Sequence, residues 1–264
     1  MARFVVLLPF VLLITCIASG QSQPPSDPQA LTFAGQSITA MLGNSGIVIS
    51  DVTLSGTASW TSGSDTLSGT ATFLAKGTNE SRIDLTSTGG SRTDIRNGTG
   101  STPQGEWVAA DGSTGLYAMH NCMTDAAWFF PLLSSLANSD PTLVFSYVGQ
   151  ETRSGVSVQH LQAYHYSYSK SASTMALTQQ LSTMDFYLDA SSSLPTAFTF
   201  NEHPDDDAGT NTTVEVDFFN YQALNGMQIP IHIQQYVRGA LMIDVVVSSV
   251  VVNSSLPDSD FTIQ

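Results

Sequence analysis

The C-terminal third of the chain consists largely of segments in which apolar and polar residues alternate. Val214, Val216 and Phe218 occupy every second position of residues 213–221, and three isoleucines do the same in residues 229–233. Successive side chains of a strand point to opposite faces of a sheet, so this period of two indicates strands with one buried face. Strand-like composition extends over four consecutive segments: 186–200, 213–221, 229–234 and 241–252.

Turn residues separate these segments. Leu194-Pro195 divides the first segment, and Asn225-Gly226 stands between the second and the third. Asn, Gly and Pro at such boundaries are typical of hairpin connections between neighbouring strands. We therefore predict that the C-terminal third forms consecutive strands of one antiparallel sheet.

The N-terminal half contains an internal echo. Residues 53–60 read Thr-Leu-Ser-Gly-Thr-Ala-Ser-Trp, and residues 66–73 read Thr-Leu-Ser-Gly-Thr-Ala-Thr-Phe. Two copies are too few for a repeat architecture, so we predict a hairpin with Trp60 and Phe73 in equivalent places. A glycine inside each strand favours bends or bulges, as a strongly curved sheet requires. Two further β segments are predicted downstream: 79–99 and 105–119, the latter turning at Asp111-Gly112.

Helices are predicted at three places. Apolar residues at helical spacing predict an amphipathic helix over residues 28–42, capped by Ser26 or Asp27 and packed on the sheet. A membrane-surface helix is the alternative, but its polar face has no Lys or Arg. Residues 124–136 predict a short helix kinked at Pro131. Residues 172–184 fit either a helix or a strand leading into the C-terminal sheet.

The first residues predict export. Residues 1–20 combine a basic residue, an apolar run and small residues at the end, which is typical of a signal peptide cleaved before Gln21. Residues 13–16 also approximate a lipobox, in which an acylated Cys16 would anchor the protein to the outer membrane. Either reading places the protein in the periplasm or outside the cell. Residues 21–27 then form a polar linker, and residues 28–264 form one domain.

Charge and motif content limit the function classes. The formal net charge is −14, which disfavours nucleic acid and anionic membrane as partners. No Gly-x-Ser-x-Gly motif occurs, and we predict no enzyme and no cofactor. His120 with Cys122 and His203 with residues 205–207 match metal ligands in type but not in spacing, so ordinary packing and an acidic turn are the favoured interpretations, and no metal site is predicted.

Aromatic and methionine residues cluster around the break in the β pattern. Three consecutive aromatics at residues 128–130 cannot all face one side of a regular element, so at least one is expected to face a cavity, a partner or solvent. Soft apolar side chains in an unfilled concavity are where acyl chains bind, although the same residues could fill a core. The candidate ligand-binding residues are Trp107, Met119, Met123, Trp128, Phe129, Phe130, Leu132 and Phe145.

Short motifs follow one another in a distinctive order between residues 143 and 264. They are Gly149-Gln150-Glu151 in a predicted hairpin, Tyr187-Leu188-Asp189, Leu194-Pro195, Leu224-Asn225-Gly226, Ile229-Pro230 and Leu256-Pro257-Asp258. This order resembles the LolA/LolB-type carriers, which are lipoprotein- and lipid-binding proteins of bacterial cell envelopes. The first half of the chain is similar to them in general pattern.

The resemblance implies a mainly β (α+β) fold, in which a highly curved antiparallel sheet forms an incomplete barrel. Its helices would plug the open face, with residues 124–136 and 28–42 as lids. The implied function is non-enzymatic: a monomer that holds a lipid, an acyl chain or a lipoprotein in its concave face. The alternative is an extracellular structural or adhesive β-protein with a filled core and no small-molecule ligand.

Overall fold

The computed structural model describes residues 23–43, 45–99, 102–131, 142–169 and 171–263. The predicted signal peptide, the lipidation candidate Cys16 and the candidate site residue Leu132 lie outside the described residues. None of the described helices is long and apolar enough to span a bilayer.

The described residues form one antiparallel sheet of thirteen strands. The strands are β1 (Asp51–Ser62), β2 (Asp65–Lys76), β3 (Glu80–Ser87), β4 (Gly90–Asn97), β5 (Gln104–Val108), β6 (Thr114–Leu116), β7 (Leu143–Arg153), β8 (Val156–His165), β9 (Met184–Asp189), β10 (Pro195–Glu202), β11 (Thr212–Leu224), β12 (Met227–Val237) and β13 (Ala240–Val252). Their order in the sheet is β6-β5-β4-β3-β2-β1-β13-β12-β11-β10-β9-β8-β7. The strands predicted in the C-terminal third are confirmed as β9 to β13.

Two meanders meet in the middle of this sheet. Strands that are consecutive in the chain pair with each other, except for β6 and β7, which lie at the two edges of the sheet. At the centre of the sheet, β1 also pairs with β13. Because β6 and β7 lie at opposite edges, the connection between them has to pass from one edge of the sheet to the other.

The sheet is strongly curved, since side chains from distant strands meet across it. Arg96 on β4 and Glu202 on β10 are 3.1 Å apart, although seven strand intervals separate them. In a flat sheet these strands would be about 34 Å apart, at about 4.8 Å per interval. The sheet therefore bends back on itself without closing, and the predicted incomplete barrel is confirmed.

The echoed segments form the predicted hairpin. Thr57 lies opposite Thr70, its counterpart in the echo, so a local two-fold axis passes between them. At Gly69 a Cβ atom would lie 1.9 Å from the carbonyl oxygen of Thr86, and at Gly56 it would lie 2.1 Å from that of Val246. The two glycines therefore allow β3 and β13 to approach the hairpin from either side.

Two α-helices accompany the sheet: α1 (Pro28–Leu42) and α2 (Ala172–Ser182). The predicted bounds of α1 are confirmed, and the Asp27 carboxylate caps it by accepting a hydrogen bond from the Gln29 amide at 2.7 Å. Residues 172–184 were predicted to form either a helix or a strand. Most of them form the helix, which ends at Ser182, and β9 starts at Met184. Two 3₁₀ helices, η1 (Met119–Cys122) and η2 (Asp258–Phe261), complete the described elements.

Helix α1 lies across the concave face of the sheet and contacts β7 and β12. Ala30 and Ala34 pack in a small cluster with Phe145, and Met41 reaches the main core. The prediction that this helix packs on the sheet is therefore confirmed. Its small and apolar residues face the strands because they recur at helical spacing.

Candidate functional site

The described part of the β6–β7 connection, residues 117–131, enters the concave face, and we call it the plug segment. The Asp125 carboxylate accepts a hydrogen bond from the Ala127 amide at 2.7 Å, and the Phe130 amide donates to the carbonyl oxygen of Ala127 at 2.8 Å. Residues 126–129 form a turn, where we had expected the start of a helix. The remainder of the predicted lid, residues 132–136, lies outside the described residues.

The three consecutive aromatics of the plug segment are buried. Phe129 and Phe130 are fully buried, and the ring of Phe129 packs on Phe73 of β2 at 5.1 Å. Trp128 is nearly buried and meets Phe73 edge-on at 6.4 Å. All three aromatics belong to the main core, and Trp128 also borders a cavity.

One cavity of about 210 Å³ lies between the plug segment and strands β7 to β9. Met123 and Cys122 line it from the plug segment, and Met184 and Phe186 line it from β9. We call it the methionine cavity. Its polar rim comes from short side chains and from His165 at the end of β8.

A second cavity of about 230 Å³ lies on the other side of the plug segment. Trp60, Ile83 and Trp128 provide apolar walls, and Arg92 and Arg96 project into it from β4. We call it the arginine cavity. The plug segment thus contributes to both cavities, with residues 122–125 at one and with Tyr117 and Trp128 at the other.

The charged groups of the arginine cavity form ion pairs. Arg92 donates two hydrogen bonds to Asp94, from Nε to Oδ2 at 2.7 Å and from Nη2 to Oδ1 at 2.8 Å. The Tyr117 hydroxyl donates a further hydrogen bond to Asp94. Arg96 pairs with Glu202 of β10 at 3.1 Å.

The pKa values of this cluster reflect the pairing. The hydrogen bond to Asp94 raises the pKa of Arg92 well above its usual value. Burial, together with the Asp94 carboxylate, raises the pKa of the Tyr117 hydroxyl. At neutral pH the cluster therefore contains charged arginine and neutral phenol, and Tyr117 acts as a hydrogen-bond donor.

Hydrogen bonds fasten the plug segment to the end of β10 and to β4. The Asn121 amide group donates to the carbonyl oxygen of His203 at 2.8 Å and accepts from its backbone N–H at 2.7 Å. Nε2 of His120 lies 3.2 Å from the carbonyl oxygen of Pro204, and the Arg96 guanidinium donates to the Thr124 hydroxyl at 3.4 Å. Both Asn121 and His203 are buried, so this attachment is shielded from water.

The other predicted site residues are dispersed. Phe145 is buried beside α1 in the smaller cluster, and Met119 is 52% exposed. The Trp107 indole covers Gly115 on the neighbouring edge strand, where a Cβ atom would lie 2.6 Å from the ring. Of the predicted residues, Met123 and Trp128 line the two cavities.

Sequence reasoning missed the charged wall of the arginine cavity. Arg92, Asp94 and Arg96 follow one another at a period of two, which signals one face of a strand. That spacing alone did not indicate that the charged face of β4 is the concave one. Glu202 and Tyr117 join the cluster from distant parts of the chain.

The residues weighed as metal ligands have structural contacts. Cys122 is a buried free thiol, and burial raises its pKa. The Asp207 carboxylate accepts hydrogen bonds from the Gly209 amide and the Thr210 hydroxyl within its own turn. Among the described residues, no three His, Cys, Asp or Glu side chains converge on a common point.

Comparison with known proteins identifies the fold. A domain from Vibrio parahaemolyticus, described as an outer membrane lipoprotein-sorting protein domain, matches with a TM-score of 0.51 and 13% identity, covering 88% of this chain and 96% of that one. A LolA superfamily protein from Nitrosomonas europaea matches with a TM-score of 0.50 and 11% identity, covering 89% and 97%. A DUF1329 family protein from Desulfovibrio piger gives a TM-score of 0.50 at 11% identity, covering 90% and 98%.

No family model and no curated protein sequence matches the chain. The structural matches nevertheless cover nearly the whole of each protein, so the chain has a LolA-like fold. The expected resemblance in fold is confirmed, and identities of 11–13% carry it no further than the fold.

Proposed function

We propose that this protein is an exported, non-enzymatic binding protein that holds an apolar ligand, such as a lipid or an acyl chain, in its concave face. The observation that carries the proposal is the pair of cavities, about 210 and 230 Å³, that share the plug segment as a common wall. Concave sites with mainly apolar walls and a few polar groups are typical of small-molecule binding.

The size of the cavities sets a condition on this function. Each is smaller than the roughly 300–1,000 Å³ of common ligand pockets. A short chain would fit one cavity, whereas a longer chain would require the plug segment to shift and join the two. Such a shift would have to release the polar attachments of the plug segment to the end of β10, to the carbonyl oxygen of Thr78 and to Arg96 of β4.

The LolA-like neighbours support a carrier role in the cell envelope, since one of them is described as a lipoprotein-sorting domain. Export to the periplasm or beyond, with a free N-terminus or a lipid-anchored Cys16, is part of the proposal. We propose that the protein acts as a monomer, without a cofactor or metal.

Native mass spectrometry of the mature protein purified from its own cell envelope, followed by organic extraction, tests the proposal. We expect a co-purifying lipid or acyl compound, and a signal peptide or acylated cysteine is read from the same spectrum. Val237→Trp would fill the arginine cavity and should reduce uptake of added octan-1-ol, whereas Val156→Trp at an exposed hairpin end should not. An apo mass with no uptake would contradict the proposal.

The alternative function is supported by a specific observation. Phe129 and Phe130 are fully buried in the main core, so much of the concave face is filled. An adhesive or structural β-protein would then act through its acidic outer surface. This alternative predicts that the purified protein has the mass of the chain alone, without a bound ligand. It also predicts that Val237→Trp does not change the uptake of any ligand.

A further inference from the structure

The arginine cavity contains four charged side chains that sum to zero: Arg92, Arg96, Asp94 and Glu202. This balance is unusual for a chain with a formal net charge of −14. An inference about the ligand follows from it, and this inference rests on the proposed binding function.

Each charge already has a partner within the cavity wall. Asp94 accepts both donors of the Arg92 fork and the Tyr117 hydroxyl, so its oxygens are occupied. Paired arginine–carboxylate forks are strong and directional, and breaking one leaves a charge without its partner. The side chain of Arg96 is only 11% exposed, so solvent would compensate poorly for the loss of Glu202.

A charged ligand would therefore disturb this wall. A carboxylate or phosphate would have to displace Asp94 or Glu202 from an arginine, or remain close to both acids. An ammonium group would have to displace Arg92 or Arg96 from its carboxylate, or remain close to both arginines. An uncharged group that donates and accepts hydrogen bonds avoids both costs.

Polar groups that could receive such a ligand are present. The Gln235 side chain lines the arginine cavity and, within the described residues, makes no hydrogen bond. Its carboxamide offers both a donor and an acceptor. Gln235 lies on β12 beside Ile243, so its polar end borders the apolar wall.

We propose that the arginine cavity selects an apolar chain with an uncharged hydrogen-bonding headgroup, such as an alcohol, ester or amide, over carboxylates, phosphates and amines. Gln235 would bind the headgroup, and Trp60, Ile83 and Trp128 would contact the chain. The paired charges would exclude ions of either sign.

Three probes that share an eight-carbon chain test this selectivity: octan-1-ol, octanoate and octylammonium. A dry cavity of about 150 Å³ accepts benzene with its six heavy atoms, so one of about 230 Å³ suits probes of nine or ten. Dissociation constants at pH 7.5 would be measured by calorimetry on the mature chain. We expect octan-1-ol to bind at least tenfold more tightly than either ion.

Two variants change the charge balance in opposite directions. Glu202→Gln leaves Arg96 without its carboxylate and should improve octanoate binding about tenfold, with octan-1-ol little changed. Arg96→Gln leaves Glu202 unpaired and should improve octylammonium instead. The matched control is Asp84→Asn, which removes the acid of a similar pair with Arg82 on the opposite face of the sheet and should change none of the three constants. Denaturation midpoints establish that each variant is folded. If Glu202→Gln does not fold, Asp94→Asn is used in its place.

The outcomes separate this inference from the function on which it rests. Octanoate binding as tightly as octan-1-ol, or unchanged ion affinities in both charge variants, would overturn the selectivity while the binding function stands. If no probe binds and no lipid co-purifies, the binding function itself is wrong.

Discussion

Two arginine–aspartate pairs of the same spacing lie on neighbouring strands but on opposite faces of the sheet. Arg82 and Asp84 on β3 pair on the convex face at 2.7 and 3.1 Å. Arg92 and Asp94 on β4 pair on the concave face at 2.7 and 2.8 Å. The local geometry is nearly the same, and what differs is the surroundings.

On the convex face, Asp84 receives one more hydrogen bond, from the small Thr93 side chain. On the concave face, Asp94 is covered by Tyr117 and borders a cavity with apolar walls. Both pairs are partly exposed, and the concave pair is in addition part of a candidate binding site. The comparison shows that a sequence motif acquires its chemistry from the face on which the sheet presents it.

The contrast extends across the sheet. Concave positions of β10 and β11 place Phe198, Phe200 and Val216 in the main core. Convex positions support polar pairs, such as His160 with Asp185 and His232 with Asp244, each at 2.9 Å. His160 and His232 are thus part of hydrogen-bonded rows on the outer face.

The largest expected difference between the faces is in packing. Phe129→Ala removes a fully buried ring that packs on Phe73 and should lower the free energy of unfolding by about 3–5 kcal/mol. Phe219→Ala removes a convex ring that is 39% exposed and should cost about 1 kcal/mol or less. Urea denaturation measures both. Equal losses would show that the concave core is not the main source of stability.

A smaller effect is expected where the plug segment attaches. Asn121→Ala leaves the backbone N–H and carbonyl group of His203 unpaired in a buried place and should cost about 2–3 kcal/mol. Hydrogen exchange should accelerate in residues 117–131 more than in the strands. Gln162→Ala, which removes a convex hydrogen bond to Asp185, should cost about 1 kcal/mol or less and leave that exchange unchanged. Unaltered exchange in Asn121→Ala would show that other contacts hold the plug segment.

The smallest effect concerns a convex carboxylate. Burial and the neighbouring Glu215 carboxylate raise the pKa of Asp217 to about 6. Because the folded-state pKa lies above the unfolded value of about 3.9, the ionised group costs stability, and the cost grows as pH rises through this interval. Asp217→Asn should therefore stabilise the protein by about 1 kcal/mol at pH 8, after allowance for solvent screening, and by about half as much at pH 5.

Urea denaturation at the two pH values tests this sign. Asp205→Asn on the exposed β10–β11 loop is the control and should change stability by no more than about 0.5 kcal/mol at either pH. A gain for Asp217→Asn that is larger at pH 5 than at pH 8 would contradict the assigned pKa direction.

Local signals in the sequence were sufficient to predict most strands, the first helix and the hairpins. The alternation in residues 213–221 predicted β11, and Asn225-Gly226 predicted its turn, where both residues have positive φ angles of 52° and 82°. A cap at Ser26 or Asp27 and the helical spacing predicted α1, and the structure selects Asp27 as the cap. These features depend on neighbours within a few residues, so the amino-acid order alone determines them.

The tertiary structure decided which face of each strand is concave and which distant residues meet there. Period two shows that Arg92, Asp94 and Arg96 share a face, but the curvature of the whole sheet places that face around a cavity. Arg96 meets Glu202, 106 positions away in the chain, because β1 pairs with β13 and brings the two meanders together. The plug segment was predicted as a break in the β pattern, and its aromatics became core because the β6–β7 connection enters the concave face. Long-range pairing leaves no local mark in the sequence, which is why the candidate site could be recognised only after the chain was folded.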